Sequence, residues 1–128
     1  MKKLCLGLIV LSLLSTLAQA ETIQLTASWY SVESLKKEGT WKYSKGVMAN
    51  GKQFKDENPT CATRLYKLGT ILKVTNISNG QSVLVLVTDK IGKRFAKTRV
   101  DLSRSAFRQI ANLNEGVIKV KVELVNEP

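Results

Sequence analysis

The clearest alternation of apolar and polar side chains lies near the C-terminal end of the chain. From Gly116 to Val125, aliphatic residues occupy every second position and lysine or glutamate fills the positions between them. A period of two is typical of a β-strand with one face in the core and one in water. Thr22 to Trp29 shows a similar pattern, so we predict a strand there as well.

Two further strands and a tight turn are predicted in the middle of the chain. Gln81 to Thr88 contains the continuous aliphatic run Val83 to Val87, and Thr70 to Thr75 precedes it. The pair Asn79-Gly80 between the two segments is a strong signal for a hairpin turn. Because the aliphatic run has no polar face, we expect burial on both faces, at the centre of a sheet or barrel.

The remaining segments predict one short helix and a long loop. Arg104 to Ala111 carries apolar residues at helical spacing, and Ser103 can cap it. Residues 31–59 are rich in lysine, glycine and asparagine, so we predict a long loop with short extended pieces, the kind of loop that is usually functional. No linker divides residues 21–128, which therefore read as one mainly β domain, a compact closed barrel with one short helix.

Residues 1–20 have the composition of a secretory signal peptide. Lys2 and Lys3 precede the apolar segment Leu4 to Leu14, and Ala18 to Ala20 forms an A-x-A processing site. The apolar segment is well short of the ~20 residues that a membrane-spanning helix needs, so we predict no membrane span. Cys5 does not stand at the end of a lipoprotein box, and we expect a secreted or periplasmic protein after cleavage near Ala20.

Charge narrows the range of partners. The 128 residues include 20 Lys+Arg and 10 Asp+Glu, and loss of residues 1–20 would leave 18 basic and 10 acidic side chains. An exported cationic protein meets the anionic polymers of the cell envelope, so we expect no nucleic-acid partner, and we expect a monomer. The most basic stretch has a net charge of +6 and contains Lys90, Lys93, Arg94, Lys97, Arg99, Arg104 and Arg108 against Asp101.

The chain contains no histidine, which excludes several mechanisms at once. Ser-His-Asp and Cys-His catalysis and most zinc sites require imidazole, and we predict neither a metal nor a cofactor. Cys61 is the only cysteine after residue 20, so no disulfide forms within 21–128. We expect Cys61 to be a small buried apolar residue.

Two carboxylates, Asp89 and Asp101, occupy positions that suit a functional site. Asp89 follows the aliphatic run, where a strand leaves the core, and a carboxyl group at such a rim can serve as an acid. The alternative is a turn-forming residue that accepts hydrogen bonds from backbone amides. Asp101 lies just ahead of the predicted helix, and we expect it to satisfy free amides at the helix start.

Five ordered motifs, spread over about residues 26–124, resemble the rare lipoprotein A family. They are Ala27-Ser28-Trp29-Tyr30; Met48-Ala49-Asn50-Gly51 with Phe54; Leu68-Gly69-Thr70 with Val74-Thr75-Asn76; Asn79-Gly80-Gln81-Ser82-Val83 leading to Thr88-Asp89; and Val100-Asp101-Leu102-Ser103. The resemblance implies a six-stranded double-psi β-barrel, also found in expansins and barwin-like proteins, with a groove across one face. It also implies a lytic transglycosylase that acts on peptidoglycan strands free of stem peptides.

In that family's reaction a carboxylic acid protonates the glycosidic oxygen, and the muramyl O6 attacks C1 to form a 1,6-anhydro sugar. The resemblance places the family's catalytic aspartate on Asp89. The positions where the family carries a glutamate and a histidine hold Lys52 and Thr63, and the usual Asp-Arg-Gly-Pro is Asp89-Lys90-Ile91-Gly92. We therefore predict Asp89 as the catalytic residue and, as residues that contact the substrate, Tyr30, Asn50, Lys52, Thr63 and Lys90.

Two functions remain open from the sequence. An ammonium group of Lys52 close to Asp89 would favour the ionised carboxylate, the opposite of what a general acid requires. The alternative to a transglycosylase is a non-catalytic, expansin-like glycan-binding module. In such a module aromatic residues stack on sugar rings, although each has a competing role in the core: Trp29, Tyr30, Trp41 and Tyr43.

Overall fold

Six strands close into a barrel in the structure, a computed structural model that describes residues 21–128. The predicted signal peptide, residues 1–20, lies outside the described part. The order around the barrel is β1-β5-β2-β4-β3-β6, which confirms the predicted six-stranded barrel. The strands are β1 (Thr22–Tyr30), β2 (Thr60–Ala62), β3 (Ile71–Asn76), β4 (Ser82–Asp89), β5 (Arg99–Ser103) and β6 (Val117–Asn126).

The barrel combines parallel and antiparallel strand pairs. β1 pairs with β5 and β2 pairs with β4 in parallel, whereas β6 runs antiparallel to both β1 and β3. β3 and β4 form the predicted antiparallel hairpin. Its turn includes Gly80 at φ +74°, a backbone conformation that residues with a Cβ rarely adopt. The Asn79-Gly80 signal is thus confirmed by the geometry of the turn.

The inner face of β4 is part of the core, but its outer face is open. Val83, Val85 and Val87 are buried, whereas Leu84 and Leu86 are 55% and 40% exposed. The prediction that this run is buried on both faces is therefore wrong. A closed barrel buries only the side chains that point inward, and no element within residues 21–128 covers these two leucines.

Two short strands were not anticipated from the sequence. β2 has three residues, too few to show a period, and its partners are distant in sequence. β5 contains an alternation, because Val100 and Leu102 are buried while Asp101 is only partly buried. In the sequence this segment was interpreted only as the approach to a helix.

The predicted C-terminal helix is confirmed. It spans Arg104–Ile110 (α3), and the Ser103 hydroxyl accepts a hydrogen bond from the Ala106 amide, as expected of an N-cap. Phe107 and Ile110 on this helix are fully buried in the core. Within residues 21–128, none of the helices has the length and apolarity needed to cross a membrane.

Two more helices replace part of the predicted long loop. They are α1 (Val32–Lys37) and α2 (Thr40–Ser44), so the described chain has three short α-helices rather than one. Ser31 caps α1 through a capping box with Ser34. The usual box has glutamate or glutamine at the second position, and the serine made this helix start hard to recognise. Two single turns of 3-10 helix complete the structure, at Lys93–Phe95 and Leu113–Glu115.

Ser103 ties the helix to the loop before β2, which leads to a stability prediction. Its buried hydroxyl donates to the Asn58 carbonyl (2.6 Å) and accepts from the amides of Thr60 (3.3 Å) and Ala106 (3.4 Å). Ser103→Ala should lower the free energy of unfolding by about 1–2 kcal/mol, because it removes the helix cap on the Ala106 amide and the hydroxyl's two bonds to the loop. Urea denaturation followed by circular dichroism measures this loss.

The matched control is Ser82→Ala, which removes an exposed hydroxyl from β4. It should change the free energy of unfolding by no more than about 0.5 kcal/mol. An equally small effect of Ser103→Ala would contradict the role assigned to this hydroxyl.

Candidate active site

Two carboxylates face each other across β2. Ala62, the last residue of β2, is the register partner of Asp89 on β4 and of Asp101 on β5. Neighbouring strands lie about 4.8 Å apart, so the Cα atoms of the two acids are roughly 10 Å apart. Only the methyl group of Ala62 stands between them in this row, which leaves room for a groove.

A β-bulge sets the direction of Asp89. Cys61 pairs with Val87, but Ala62 pairs with Asp89, so Thr88 is an extra residue in β4. Both Val87 and Thr88 are buried, which breaks the inward and outward alternation of the strand at this point. A bulge turns the residues that follow it toward the other face of the strand. This one places Asp89 on the wall of the groove.

The groove has a volume of about 420 Å³ and contains side chains from four strands and the α1–α2 segment. Its polar and charged lining residues are Ser28, Tyr30, Glu38, Thr40, Asp89, Lys90, Arg99 and Asp101. The structure thus brings three of the predicted site residues, Tyr30, Asp89 and Lys90, together in the groove. Asp101, which we expected to be structural, joins them there.

Asp89 is fixed by the backbone through one of its oxygens. Oδ1 accepts hydrogen bonds from the amides of Ala49 (3.0 Å) and Lys90 (2.9 Å). Within residues 21–128, Oδ2 accepts no hydrogen bond, so it is available to a ligand in the groove. The side chain therefore has the backbone contacts of the turn-forming alternative and still lines the groove.

Asp101 does not cap the helix, which corrects the expected role. Ser103 supplies the cap, and the Asp101 carboxylate accepts a hydrogen bond from the Ser28 hydroxyl on β1 (3.0 Å). The residues just ahead of the helix, Arg99–Ser103, form strand β5. As a consequence, Asp101 projects from the barrel wall into the groove.

Burial raises the pKa of Asp101 from 3.8 to about 6. The hydrogen bond from Ser28 and the charge of Arg99 oppose this shift, and the charges of Glu38 and Asp89 add to it. Loss of water around a carboxylate disfavours its charged form, which is why burial is the largest cause. Asp101 therefore keeps its proton to a higher pH than an ordinary aspartate.

Tyr30 adds an unpaired hydroxyl to the groove. Its ring stacks on Phe54 with 4.4 Å between centroids, and the residue is 8% exposed. Within the described residues, its buried hydroxyl has no hydrogen-bond partner. Burial raises the pKa of Tyr30, and the charges of Asp89 and Asp101 raise it further, so the phenol stays neutral.

Asn50 and Lys52 lie on the loop beside Asp89 but do not line the groove. The Asn50 amide donates to the Thr88 carbonyl (3.2 Å), and its side chain accepts from the Lys52 amide (3.0 Å). Asn50 thus holds the loop that presents Ala49 to Asp89. Lys52 is exposed and forms no ion pair within residues 21–128. The ion pair with Lys52 that would favour the ionised form of Asp89 is therefore absent from this part of the chain.

Thr63 supports the groove from beneath. It is 1% exposed, and its hydroxyl accepts a hydrogen bond from the Leu65 amide (3.1 Å). Its own amide donates to the Asp89 carbonyl (3.1 Å). The Thr63 side chain is therefore buried and does not line the groove.

The other residues singled out in the sequence have different surroundings. Trp29 lines the groove, and its indole donates to the Leu113 carbonyl (3.1 Å), whereas Tyr43 is 84% exposed. Trp41 is half-buried, with the Lys36 ammonium 5.0 Å from its ring centre. Cys61 is fully buried, as expected, and burial raises the pKa of its thiol. Within residues 21–128, no three acidic or cysteine side chains are grouped to hold a metal ion.

A closed six-stranded barrel with two parallel strand pairs and an acidic groove defines a double-psi β-barrel domain. The family described as "Lytic transglycolase" matches residues 22–122. The chain therefore belongs to the lytic transglycolase family and carries its RlpA-like double-psi β-barrel domain, as the sequence motifs predicted.

Several curated relatives support this assignment. The chain is 34% identical over 106 residues to "Endolytic peptidoglycan transglycosylase RlpA" of Pseudomonas aeruginosa, covering 83% of this chain and 28% of that protein. It is 37% identical over 103 residues to the protein of the same name from Rickettsia felis, covering 79% of this chain and 42% of that protein. The chain spans less than half the length of these relatives.

Solved structures share the fold. The Streptomyces papain inhibitor superposes with a TM-score of 0.64 at 21% identity, covering 83% of this chain and 96% of that one. A mutant expansin of Clavibacter michiganensis in complex with cellohexaose superposes with a TM-score of 0.60 at 22% identity, covering 84% of this chain and 52% of that one. At these identities the likeness shows the fold alone.

The raised pKa of Asp101 has a measurable consequence for stability. The folded protein binds more protons than the unfolded chain between about pH 4 and pH 6, so this group reduces stability as the pH rises through that window. The loss should be on the order of 2–3 kcal/mol. Asp101→Asn should remove this pH-dependent loss. Between pH 3.5 and pH 7, the free energy of unfolding of the variant should therefore rise relative to that of wild type, as measured by denaturation at the two pH values.

Carbon-13 NMR of the Asp101 carboxyl group gives the direct readout, with an expected midpoint near pH 6. The Asn variant identifies the resonance by its disappearance. A midpoint near pH 4 for this resonance would show that the carboxyl group is not desolvated in the groove.

Proposed function

We propose that this protein cleaves peptidoglycan glycan strands by lytic transglycosylation in the groove between Asp89 and Asp101. The observation that carries the proposal is the pairing of two carboxyl groups in unlike surroundings across Ala62. One holds its proton to about pH 6, and the other is held by two backbone amides. Membership in the lytic transglycolase family supports a peptidoglycan substrate.

The two acids take different roles in this proposal. Protonated Asp101 donates its proton to the glycosidic oxygen, and the bond between that oxygen and C1 of the muramyl residue breaks. The carboxylate of Asp89, a catalytic residue in the sequence prediction as well, stabilises the positive charge that develops at C1. The muramyl O6 then bonds to C1, and its proton passes to the Asp101 carboxylate. The products are a 1,6-anhydro end and a new chain end, and no water is consumed.

The groove suits a polymer rather than a single sugar. A second cavity of about 420 Å³ shares Glu38 and Thr40 with it and is also lined by the exposed ring of Tyr43. A third cavity shares Lys90 with the groove. A glycan strand bound across the groove can therefore contact polar and aromatic groups on both sides of the bond that breaks.

A binding module without catalysis is the second candidate. Lys52 and Thr63 occupy the positions where the family resemblance places a glutamate and a histidine, and the Thr63 side chain is buried. In this alternative Tyr30 and Trp29 contact sugar rings in the groove, and the basic side chains hold an anionic strand. The predicted signal peptide is compatible with both candidate functions. We propose that the protein acts outside the cytoplasm on the glycan of the cell envelope, and that it does so as a monomer.

Cleavage is tested with the protein lacking residues 1–20 and peptide-free glycan strands. Mass spectrometry should detect 1,6-anhydromuramyl ends, and Asp89→Asn and Asp101→Asn should each lower their rate of formation by about 100-fold or more. The matched control is Glu57→Gln, which neutralises an exposed carboxylate on a loop outside the groove and should keep the wild-type rate. Retained cleavage in both aspartate variants would overturn the assigned roles.

If wild type yields no anhydro ends but is retained on the glycan, the binding module is the correct function. Neither cleavage nor retention would reject both candidates.

Lys52 offers a gain-of-function test. Its loop is attached to β4 by the hydrogen bonds of Ala49 and Asn50, so a carboxylate at position 52 stands close to the rim of the groove. Lys52→Glu should raise the initial rate of cleavage about tenfold, because it adds an acidic group there. Lys52→Gln is the matched control for loss of the lysine charge alone. Equal initial rates of cleavage in the two variants would show that a carboxylate at position 52 takes no part in catalysis.

A further inference from the structure

A cationic cavity lies next to the groove. It has a volume of about 480 Å³ and shares Lys90 with the groove. Its other lining residues come from the loop that follows β2: Arg64, Leu65, Tyr66, Lys67 and Leu68. We define these five residues and Lys90 as the cationic cavity. Lys90 is one of the predicted substrate contacts, whereas the other five residues have no predicted role.

The loop that forms this cavity is firmly attached to the strand that carries Asp89. The Thr63 amide donates to the Asp89 carbonyl (3.1 Å), and the Gly69 amide donates to the Val87 carbonyl (2.8 Å). Between these two points, Arg64 Nε donates to the carbonyl of Ile91. The cavity is thus held in a fixed position relative to the groove, and little conformational entropy is lost when a ligand binds.

All of the charged residues that line the cavity are basic. Arg64, Lys67 and Lys90 line it, no carboxylate does, and none of the three forms an ion pair within residues 21–128. Like charges brought together repel one another, and an anion placed among them relieves that repulsion. The anchored guanidinium of Arg64 keeps its terminal nitrogens free to bind a carboxylate.

Apolar groups complete the cavity and select among anions. Leu65 is 39% exposed, and Tyr66 is half-buried beside it. Burial raises the pKa of Tyr66, and the charge of Glu21 raises it further, so the phenol remains neutral. A small inorganic ion gains no binding energy from contact with a leucine and an aromatic ring. A sugar has an apolar ring face that can pack against them, together with its charged substituents. The lining therefore fits a carboxylated sugar.

We propose that the cationic cavity is a subsite for the carboxylate of an acidic sugar in the glycan strand, one that sets the register and direction of the strand in the groove. This inference rests on the proposed glycan function and adds a recognition site to it, at which the free lactyl carboxylate of a muramyl residue is bound. When a peptide is attached, the lactyl group is an amide, so it lacks the charge that Arg64, Lys67 and Lys90 bind.

Binding is tested without turnover, in the Asp89→Asn background. The probes are chitotetraose, which is neutral, and the peptide-free tetrasaccharide of alternating N-acetylglucosamine and N-acetylmuramic acid, which carries two carboxylates. Isothermal titration calorimetry at low salt should show the acidic tetrasaccharide binding about tenfold or more tightly. The preference should shrink as the salt concentration rises.

Arg64→Gln combined with Lys67→Gln should reduce this preference to about twofold and leave the affinity for chitotetraose unchanged. Lys73→Gln, which removes an exposed charge from the outer face of β3, is the matched control and should keep the full preference. Circular dichroism checks that each variant is folded. If the double variant loses the fold, Lys67→Gln alone should still lower the preference about threefold.

The proposal is overturned if wild type shows no preference, or if the folded variants keep it. It is also overturned if inorganic phosphate at an equal concentration displaces the tetrasaccharide as well as a second acidic glycan does, because the cavity is then a general anion site. Failure of cleavage with the preference intact rejects transglycosylation but not this subsite, so the two failures are distinguishable.

Discussion

The pairing of β2 with β4 on one side and with β5 on the other is the interaction on which both barrel and groove depend. Three residues close the barrel there, and the bulge at Thr88 turns Asp89 into the row that contains Ala62 and Asp101. A small residue at position 62 leaves the space between the acids open. The same hydrogen bonds that complete the sheet therefore determine where chemistry can take place.

Surroundings, rather than residue type, distinguish the two aspartates. Asp101 is desolvated on the barrel wall, and the Ser28 hydroxyl and the charge of Arg99 offset only part of that cost. Asp89 receives two backbone amides and keeps one oxygen free for the groove. A transglycosylase needs a group that can give up a proton and take it back, and a pKa near 6 suits that task at neutral or slightly acidic pH. The charges of both acids also help to keep the buried phenol of Tyr30 neutral.

Features with long local patterns could be predicted from the sequence, and features made by distant pairing could not. The β3–β4 hairpin and β6 carry clear alternation or turn signals, and Asp89 was recognisable because it ends an aliphatic run. β2 is too short to have a period, and its partners lie far away in sequence. Asp101 was assigned to the start of α3 because it lies only two residues ahead of the helix cap, Ser103. Its role as an acid depends on burial, which no local pattern reports.

The central claim is that a glycan strand lies over Ala62, between the two aspartates. Methyl NMR of the Asp89→Asn protein with carbon-13 alanine tests it directly, because Ala62 forms the floor of the groove while Ala27 and Ala106 are buried in the core. Titration with the acidic tetrasaccharide should shift the Ala62 methyl resonance the most and leave those of Ala27 and Ala106 in place. Saturable binding that leaves the Ala62 resonance unchanged would contradict the account.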